Sequence, residues 1–244
     1  IKDVIKDNNE SFKCSKRNKK EVVSSENSYS RDKKIISEIQ RIQQTNENSK
    51  KSKIFLKNEL NVKNGIDLSD EQMEAINSAI NSPISIITGG PGAGKTTMVK
   101  GLVSALKFLK LSLKITAPTG KAAKRIAAEG LQSYFPSTIH SFLSKFEEKS
   151  DKVFDFMIVD ESSMIDINLM QELLGSIPDK TSIVLIGDAD QLPPVGPGQV
   201  FKDLIESQTI PVVRLTGNYR QHLMSDISKA ARSIVKGNVP DFTD

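Results

Sequence analysis

Residues 89–96 read Gly-Gly-Pro-Gly-Ala-Gly-Lys-Thr, directly after the apolar, β-rich run Ile84–Ile87 and before a stretch, 95–109, with helical periodicity. A strand that ends in a glycine-rich turn and restarts as a helix opening on Lys-Thr narrows the possible folds more than any other feature of the chain. Glycines let backbone N–H groups turn inward on an anion, and the helix that follows presents its positive dipole end to the same point. A glycine-rich turn with a chance Lys-Thr is the alternative, and the strand before and helix after argue against it. The segment reads as a phosphate cradle. Gly89, Gly90, Pro91, Gly92, Ala93 and Gly94 form the loop, Lys95 supplies a mobile charge for β and γ phosphates, and Thr96 offers a hydroxyl to Mg²⁺. A nucleoside triphosphate with its Mg²⁺ is the ligand this implies.

Such a loop needs an acidic partner at the end of a nearby strand. Phe156-Met157-Ile158-Val159-Asp160-Glu161 is an apolar run delivering two carboxylates at its carboxyl edge, where α/β sheets bind ligands. Asp160 is the candidate to hold Mg²⁺, directly or through its waters, and Glu161 to polarise an attacking water. The adjacent pair favours a hydrolase over a small-molecule kinase, which has less need of a water-activating base. A second run, Ile183–Ile186, leads into Gly187-Asp188-Ala189-Asp190-Gln191-Leu192-Pro193-Pro194. Its position suits a sensor of the γ-phosphate, with Gln191 as the reaching amide, although Asp and Pro crowd many turns.

Around these motifs, apolar strands at Lys114–Thr116, Phe154–Val159, Ile183–Ile186 and Pro211–Leu215 alternate with helical stretches at 95–109, 119–128, 169–174 and 226–235. The alternation predicts an α/β domain with a mostly parallel sheet covered by helices on both faces. Leu68-Ser69-Asp70-Glu71-Gln72 opens a further helix through a capping box of Ser69 and Gln72. Residues 1–64 have a different texture. They hold 16 Lys+Arg against 9 Asp+Glu, whereas residues 65–244 hold 18 against 21, so the pI near 9.0 belongs to the N-terminal quarter. Its Lys, Asn, Ser and Glu read as a basic, partly disordered linker or the remnant of an upstream domain. Ile35, Ile36, Ile39 and Ile42 mark one short amphipathic helix within it.

Cys14 is the only cysteine and His140 and His222 lie far apart, which excludes an intrachain disulfide and disfavours a zinc site. The apolar runs fall short of the roughly 20 residues of a membrane helix, and no apolar signal segment opens the chain. A reducing, cytoplasmic setting without membrane attachment is the expectation. A chain that opens on Ile1 and stops at Asp244 reads as a piece of something longer.

Assembled in order, the segments resemble the N-terminal motor domain of superfamily 1 helicases, and most nearly the RecD type, the alpha subunit of exodeoxyribonuclease V and its stand-alone relatives. Leu68–Gln72 is similar to the adenine-reading Q segment, with Gln72 as reader. Thr88–Thr97 resembles the phosphate loop, with Ala93 where relatives often carry Thr, and brings Thr97 into the nucleotide site. Thr116–Ala123 and Ser137–Ser141 resemble segments that face single-stranded DNA, which implies contacts from Pro118, Thr119, Gly120, Lys121, Thr138 and His140. Leu215–Gln221 resembles the motif carrying an arginine finger, here Arg220. The resemblance implies a RecA-like domain over residues 65–244, the first of two. Its activity would be ATP hydrolysis coupled to 5′ to 3′ movement along single-stranded DNA, in recombinational repair or end processing. It also implies other subunits of a helicase–nuclease complex as partners.

Individual residues keep two readings. Lys121 reads as a phosphate-backbone contact, whereas Lys124 and Arg125 are either that or a solvated helix face. His140 is a structural histidine or a DNA contact, Tyr219 a packing or a stacking residue, and Arg220 a surface arginine or a stabiliser of transition-state charge. An aromatic content of 5% without Trp gives little support for an extended base-stacking platform. The rival functions are a kinase or GTP switch, a nucleotide-binding module that hydrolyses little without its second domain, and a motor on RNA or in conjugative transfer. A GTP switch would carry Asn-Lys-x-Asp, a string the sequence does not contain.

Overall fold

The computed structural model describes residues 12–17, 20–46, 67–147 and 153–217, with isolated positions 233, 234, 237 and 239. Arg220, Tyr219 and most of the helix expected over 226–235 lie outside the described residues.

The N-terminal segment contributes an antiparallel hairpin, β1 (Phe12–Arg17) and β2 (Lys20–Ser25), followed by α1 (Glu26–Asn46). The domain proper opens with α2 (Asp70–Asn81), whose start is the capping box expected from sequence. Ser69 Oγ accepts the Gln72 N–H at 3.2 Å, while Gln72 Oε1 accepts the Ser69 N–H at 2.8 Å. Then follow β3 (Ile84–Gly89), α3 (Lys95–Phe108), β4 (Leu113–Ala117), α4 (Gly120–Ile126), β5 (Ser137–Thr138) and α5 (Ile139–Glu147). β6 (Phe156–Val159), α6 (Ile167–Gly175), β7 (Ser182–Gly187), α7 (Val200–Ser207) and β8 (Val212–Leu215) complete the order.

Strands β3 to β8 form one sheet in the order β5-β4-β6-β7-β3-β8, every pairing parallel. The central strands are buried on both faces, which is why they read as unbroken apolar runs rather than alternating ones. Their side chains divide with period two. Ile87, Phe156, Ile158, Val184 and Ile186 face a core filled by Leu68, Ile76, Leu102 and Leu106 of the α2–α3 layer. Ile84, Ile86, Met157, Val159, Ile183 and Leu185 face the opposite core, filled by Leu173 of α6 and Phe201 of α7.

α1 joins that second core. Ile35, Ile39 and Ile42 are buried there, and Ile36, one position round the helix, is 53% exposed. Arg41 fastens the helix to the end of α6: its Nη2 donates to the carbonyls of Leu174 at 3.2 Å and Ile177 at 2.9 Å, and its Nη1 meets Asp179 at 2.6 Å. The buried Asn46 amide donates to the Thr181 carbonyl at 3.1 Å. The expected short helix is therefore 21 residues long and packed against the sheet. Its isoleucine spacing marked the helix but did not say what the stripe would cover.

Candidate active site

Parallel strands of one sheet end on the same edge, so β3, β6 and β7 deliver their C-terminal loops to one place. At the end of β3, Gly92 and Gly94 adopt φ of 83° and 82°, and Gly94 is the N-cap of α3. A side chain in this left-handed region costs about 1–2 kcal/mol, which explains the glycines on physical grounds. Gly89 answers a different need: a Cβ there would stand 2.9 Å from the Leu215 carbonyl oxygen of β8. A Cβ on Gly90 would meet nothing within 4 Å, so the loop faces open space at that point. Lys95 folds back across the loop, its Nζ donating to the carbonyls of Gly89 and Gly90. Burial pushes the Lys95 ammonium below its usual pKa, against the opposing charges of Asp188, Glu161 and Asp160. Those opposing charges bring the acidic strand end and the phosphate loop into one electrostatic site.

β6 supplies Asp160 and Glu161. Asp160 is buried, and burial followed by the neighbouring Glu161 charge raises its carboxyl above the ordinary range. Glu161 sits at φ 54°, ψ 36°, a left-handed backbone on a non-glycine residue. Strain of this kind persists only where the surroundings over-determine it and clusters at functional sites. Arg125 of α4, left undecided by the sequence, reaches both carboxylates: its Nη2 lies 3.0 Å from Asp160 Oδ2 and 2.7 Å from Glu161 Oε1.

The loop after β7 is tied into the same edge. Thr88 Oγ1, one residue before the phosphate loop, accepts the Ala189 N–H at 3.1 Å. Ser163 Oγ donates to Gln191 Oε1 at 3.3 Å, which joins the acidic motif to the expected γ-phosphate sensor. Asp188, 3% exposed, heads the charges opposing the lowered Lys95 pKa. Neither Thr88 nor Asp188 was singled out from sequence. The signal for Asp188 was present, since it ends an apolar strand in the same way as Asp160.

On the opposite flank, Gln72 is buried and donates from Nε2 to the Gly94 carbonyl at 3.0 Å, so α2 holds the last glycine of the loop. Thr96 is exposed and Thr97 half-buried on the first turn of α3, while Pro91 is exposed and Ala93 buried in the loop itself. The segments expected to face DNA follow β4 and β5, which pair with Ala117 opposite Thr138. Thr119 Oγ1 accepts the Ala122 N–H at 3.2 Å and Thr138 Oγ1 the Ser141 N–H at 3.1 Å, so both hydroxyls act as helix caps. Gly120, Lys121 and His140 are exposed and Pro118 half-buried along that edge. Among the described residues no three His, Cys, Asp or Glu cluster as a metal site, and no helix is long and apolar enough to cross a membrane.

An all-parallel sheet carrying a phosphate loop on β3 and paired acids on β6 defines a P-loop nucleotide-binding domain. A family profile described as an AAA domain matches residues 67–244, and the chain belongs to that family. Among curated proteins, it is 34% identical over 183 residues to the ATP-dependent RecD2 DNA helicase of Deinococcus radiodurans, covering 72% of this chain and 25% of that protein. It is 36% identical over 173 residues to the RecBCD enzyme subunit RecD of Haemophilus influenzae, covering 59% of this chain and 27% of the relative. The chain thus spans about a quarter of the length of these relatives. Among solved structures, the Pif1 helicase from Candida albicans aligns with a TM-score of 0.51 and 25% identity over 71% of this chain and 45% of its own. The resemblance to RecD-type superfamily 1 motors, read from the motifs, is matched in sequence by the RecD relatives, and the fold is shared with the Pif1 helicase.

Proposed function

We propose that residues 65–244 are the first of two RecA-like domains of a DNA helicase, hydrolysing ATP in step with movement along single-stranded DNA. One observation supports this above the others: the phosphate loop after β3, with Lys95, shares a sheet edge with Asp160 and Glu161 after β6 and Asp188 after β7, whose charges oppose the burial of its ammonium. The buried Asp160 carboxyl, raised by desolvation and by Glu161, is a site that gains from a cation, so the residues fit Mg²⁺. Thr96 and Asp160 would hold it, and its charge would offset that of the phosphates.

The glycine amides bind phosphate oxygens, and Lys95 exchanges the Gly89 and Gly90 carbonyls for them. Glu161 orients the attacking water and accepts its proton, while Gln191 senses the γ-phosphate and Arg220 takes up transition-state charge. Gln72 reads adenine beside the loop it already supports. Lys121 and His140, with the segments Pro118–Gly120 and Thr138, face the nucleic acid. Other subunits of a helicase–nuclease complex and a reducing, cytoplasmic setting go with this assignment, and residues 1–64 are outside the motor's own motifs. The test is a pair of variants. Lys95→Ala is expected to lose Mg²⁺–ATP binding, whereas Glu161→Gln keeps binding and loses turnover. Equal hydrolysis by Glu161→Gln and the parent chain would remove Glu161 from its role.

A second reading has its own support. Arg125 pairs with both Asp160 and Glu161, so the water-activating carboxylate is engaged until that guanidinium moves. A module that binds ATP but turns it over slowly in isolation would behave in this way. ATP bound without turnover, even with single-stranded DNA present, would favour it.

A further inference from the structure

The short helix α4, seven residues long, serves two places at once. Thr119 caps its start, and Gly120 and Lys121 are exposed there, on the segment proposed to face nucleic acid. One turn further on, Arg125 reaches the acidic pair: a single nitrogen, Nη2, donates to Asp160 Oδ2 at 3.0 Å and to Glu161 Oε1 at 2.7 Å. The two sides of this contact differ in their surroundings. The carboxylate side chains are 12% and 13% exposed, whereas that of Arg125 is 50% exposed. The acids are therefore held at the strand end, and the guanidinium is the partner that solvent or a polyanion can reach. Its charge also lowers the Lys95 pKa, so its influence extends to the phosphate loop.

Lys121 and Arg125 stand four residues apart, which puts them on one helix face, about 6 Å from each other along the axis. Ala122, Ala123 and Ile126 are buried on the opposite face, and Lys121, Lys124 and Arg125 are exposed. A backbone laid along Lys121 brings a phosphate within reach of Arg125, and a guanidinium binds phosphate oxygens as well as it binds carboxylate oxygens. We infer that Arg125 is a switch between two partners: it latches Asp160 and Glu161 in the strand-free chain, and single-stranded DNA on α4 draws it onto a backbone phosphate. The exchange leaves Glu161 able to orient the water and Asp160 able to meet the cation, so hydrolysis proceeds where the track is bound. The inference rests on the nucleic-acid face and the Glu161 role proposed above, and it gives the slow-turnover reading its means of release.

Binding of an oligo(dT) strand to the full chain, without nucleotide, tests the switch apart from turnover. Arg125→Ala should weaken binding and reduce the slope of log affinity against log salt by about 0.7, the equivalent of one phosphate contact on a single strand. Arg125→Gln, uncharged and similar in length, should do the same and guards against a loss of fold in the alanine variant. Glu161→Gln is the reciprocal probe. By weakening the latch it should tighten oligo(dT) binding at least about threefold with Arg125 present, and that gain should vanish in the Arg125→Gln background. By linkage, the strand then loosens the Arg125–Glu161 contact by the same factor. An unchanged salt slope in both Arg125 variants, or no tightening by Glu161→Gln, overturns the inference and leaves the nucleic-acid reading in place. Equal tightening with and without Arg125 also overturns it, since the loss of one negative charge near the strand is then the whole effect. A parent chain that does not bind oligo(dT) removes the nucleic-acid face, and the switch with it.

Discussion

Glu161 adopts a left-handed backbone immediately after a buried aspartate, and the two carboxylates share one arginine. An arrangement in which strain, burial and like charge coincide is costly to keep and points to chemistry rather than packing. Glu161→Gln is expected to lower hydrolysis by on the order of 10²-fold or more with ATP affinity preserved, as measured by steady-state turnover beside equilibrium binding. Gly94→Ala forces a side chain into the φ of 82° at the N-cap of α3, at a cost of about 1–2 kcal/mol, which a denaturant titration would detect. Glu71 makes a pH prediction. Its folded pKa lies below the unfolded value near 4.5, so its contribution is fully present above that value and is lost as pH falls through the folded pKa. The stability difference between the parent chain and Glu71→Ala should therefore hold from pH 7 to about 5 and shrink in more acidic solution. A difference that grows on acidification would contradict a carboxylate that accepts the Thr216 and Gly217 backbone N–H groups.

At the scale of elements, α1 makes the clearest claim. Ile42 is fully buried beneath the sheet, and Ile36 on the same helix is largely exposed. Ile42→Ala should cost about 2–5 kcal/mol, as typical for a large-to-small change in a core, whereas Ile36→Ala should stay within about 0.5 kcal/mol. Equal small effects in a thermal or urea melt would show that α1 does not dock. Much of the remaining architecture was legible because a strand buried on both faces must be apolar throughout, as with Phe156–Val159 and Ile183–Ile186. Ser137–Thr138 was not legible as a strand, since two residues carry no period. The destination of α1 was hidden for another reason: periodicity gives a stripe, and only tertiary packing supplies the surface it covers.

Across the whole molecule, the site was legible where the chemistry demands particular residue types in a local run, as in Gly89–Thr96 and Asp160–Glu161. It was not legible where residues far apart in sequence meet, as Glu71 with Thr216, Thr88 with Ala189, and Arg125 with the acids. These long-range contacts tie the loops after β3, β6, β7 and β8 into one edge, the link that the proposed motor would use to pass a change at the phosphates to nucleic acid. The most direct test is the ATPase rate of the chain with and without single-stranded DNA, with Lys95→Ala as the blank. Coupling predicts turnover that rises on adding DNA and vanishes in the variant. Turnover in the parent chain that is indifferent to single-stranded DNA, or that survives in Lys95→Ala, would contradict the account.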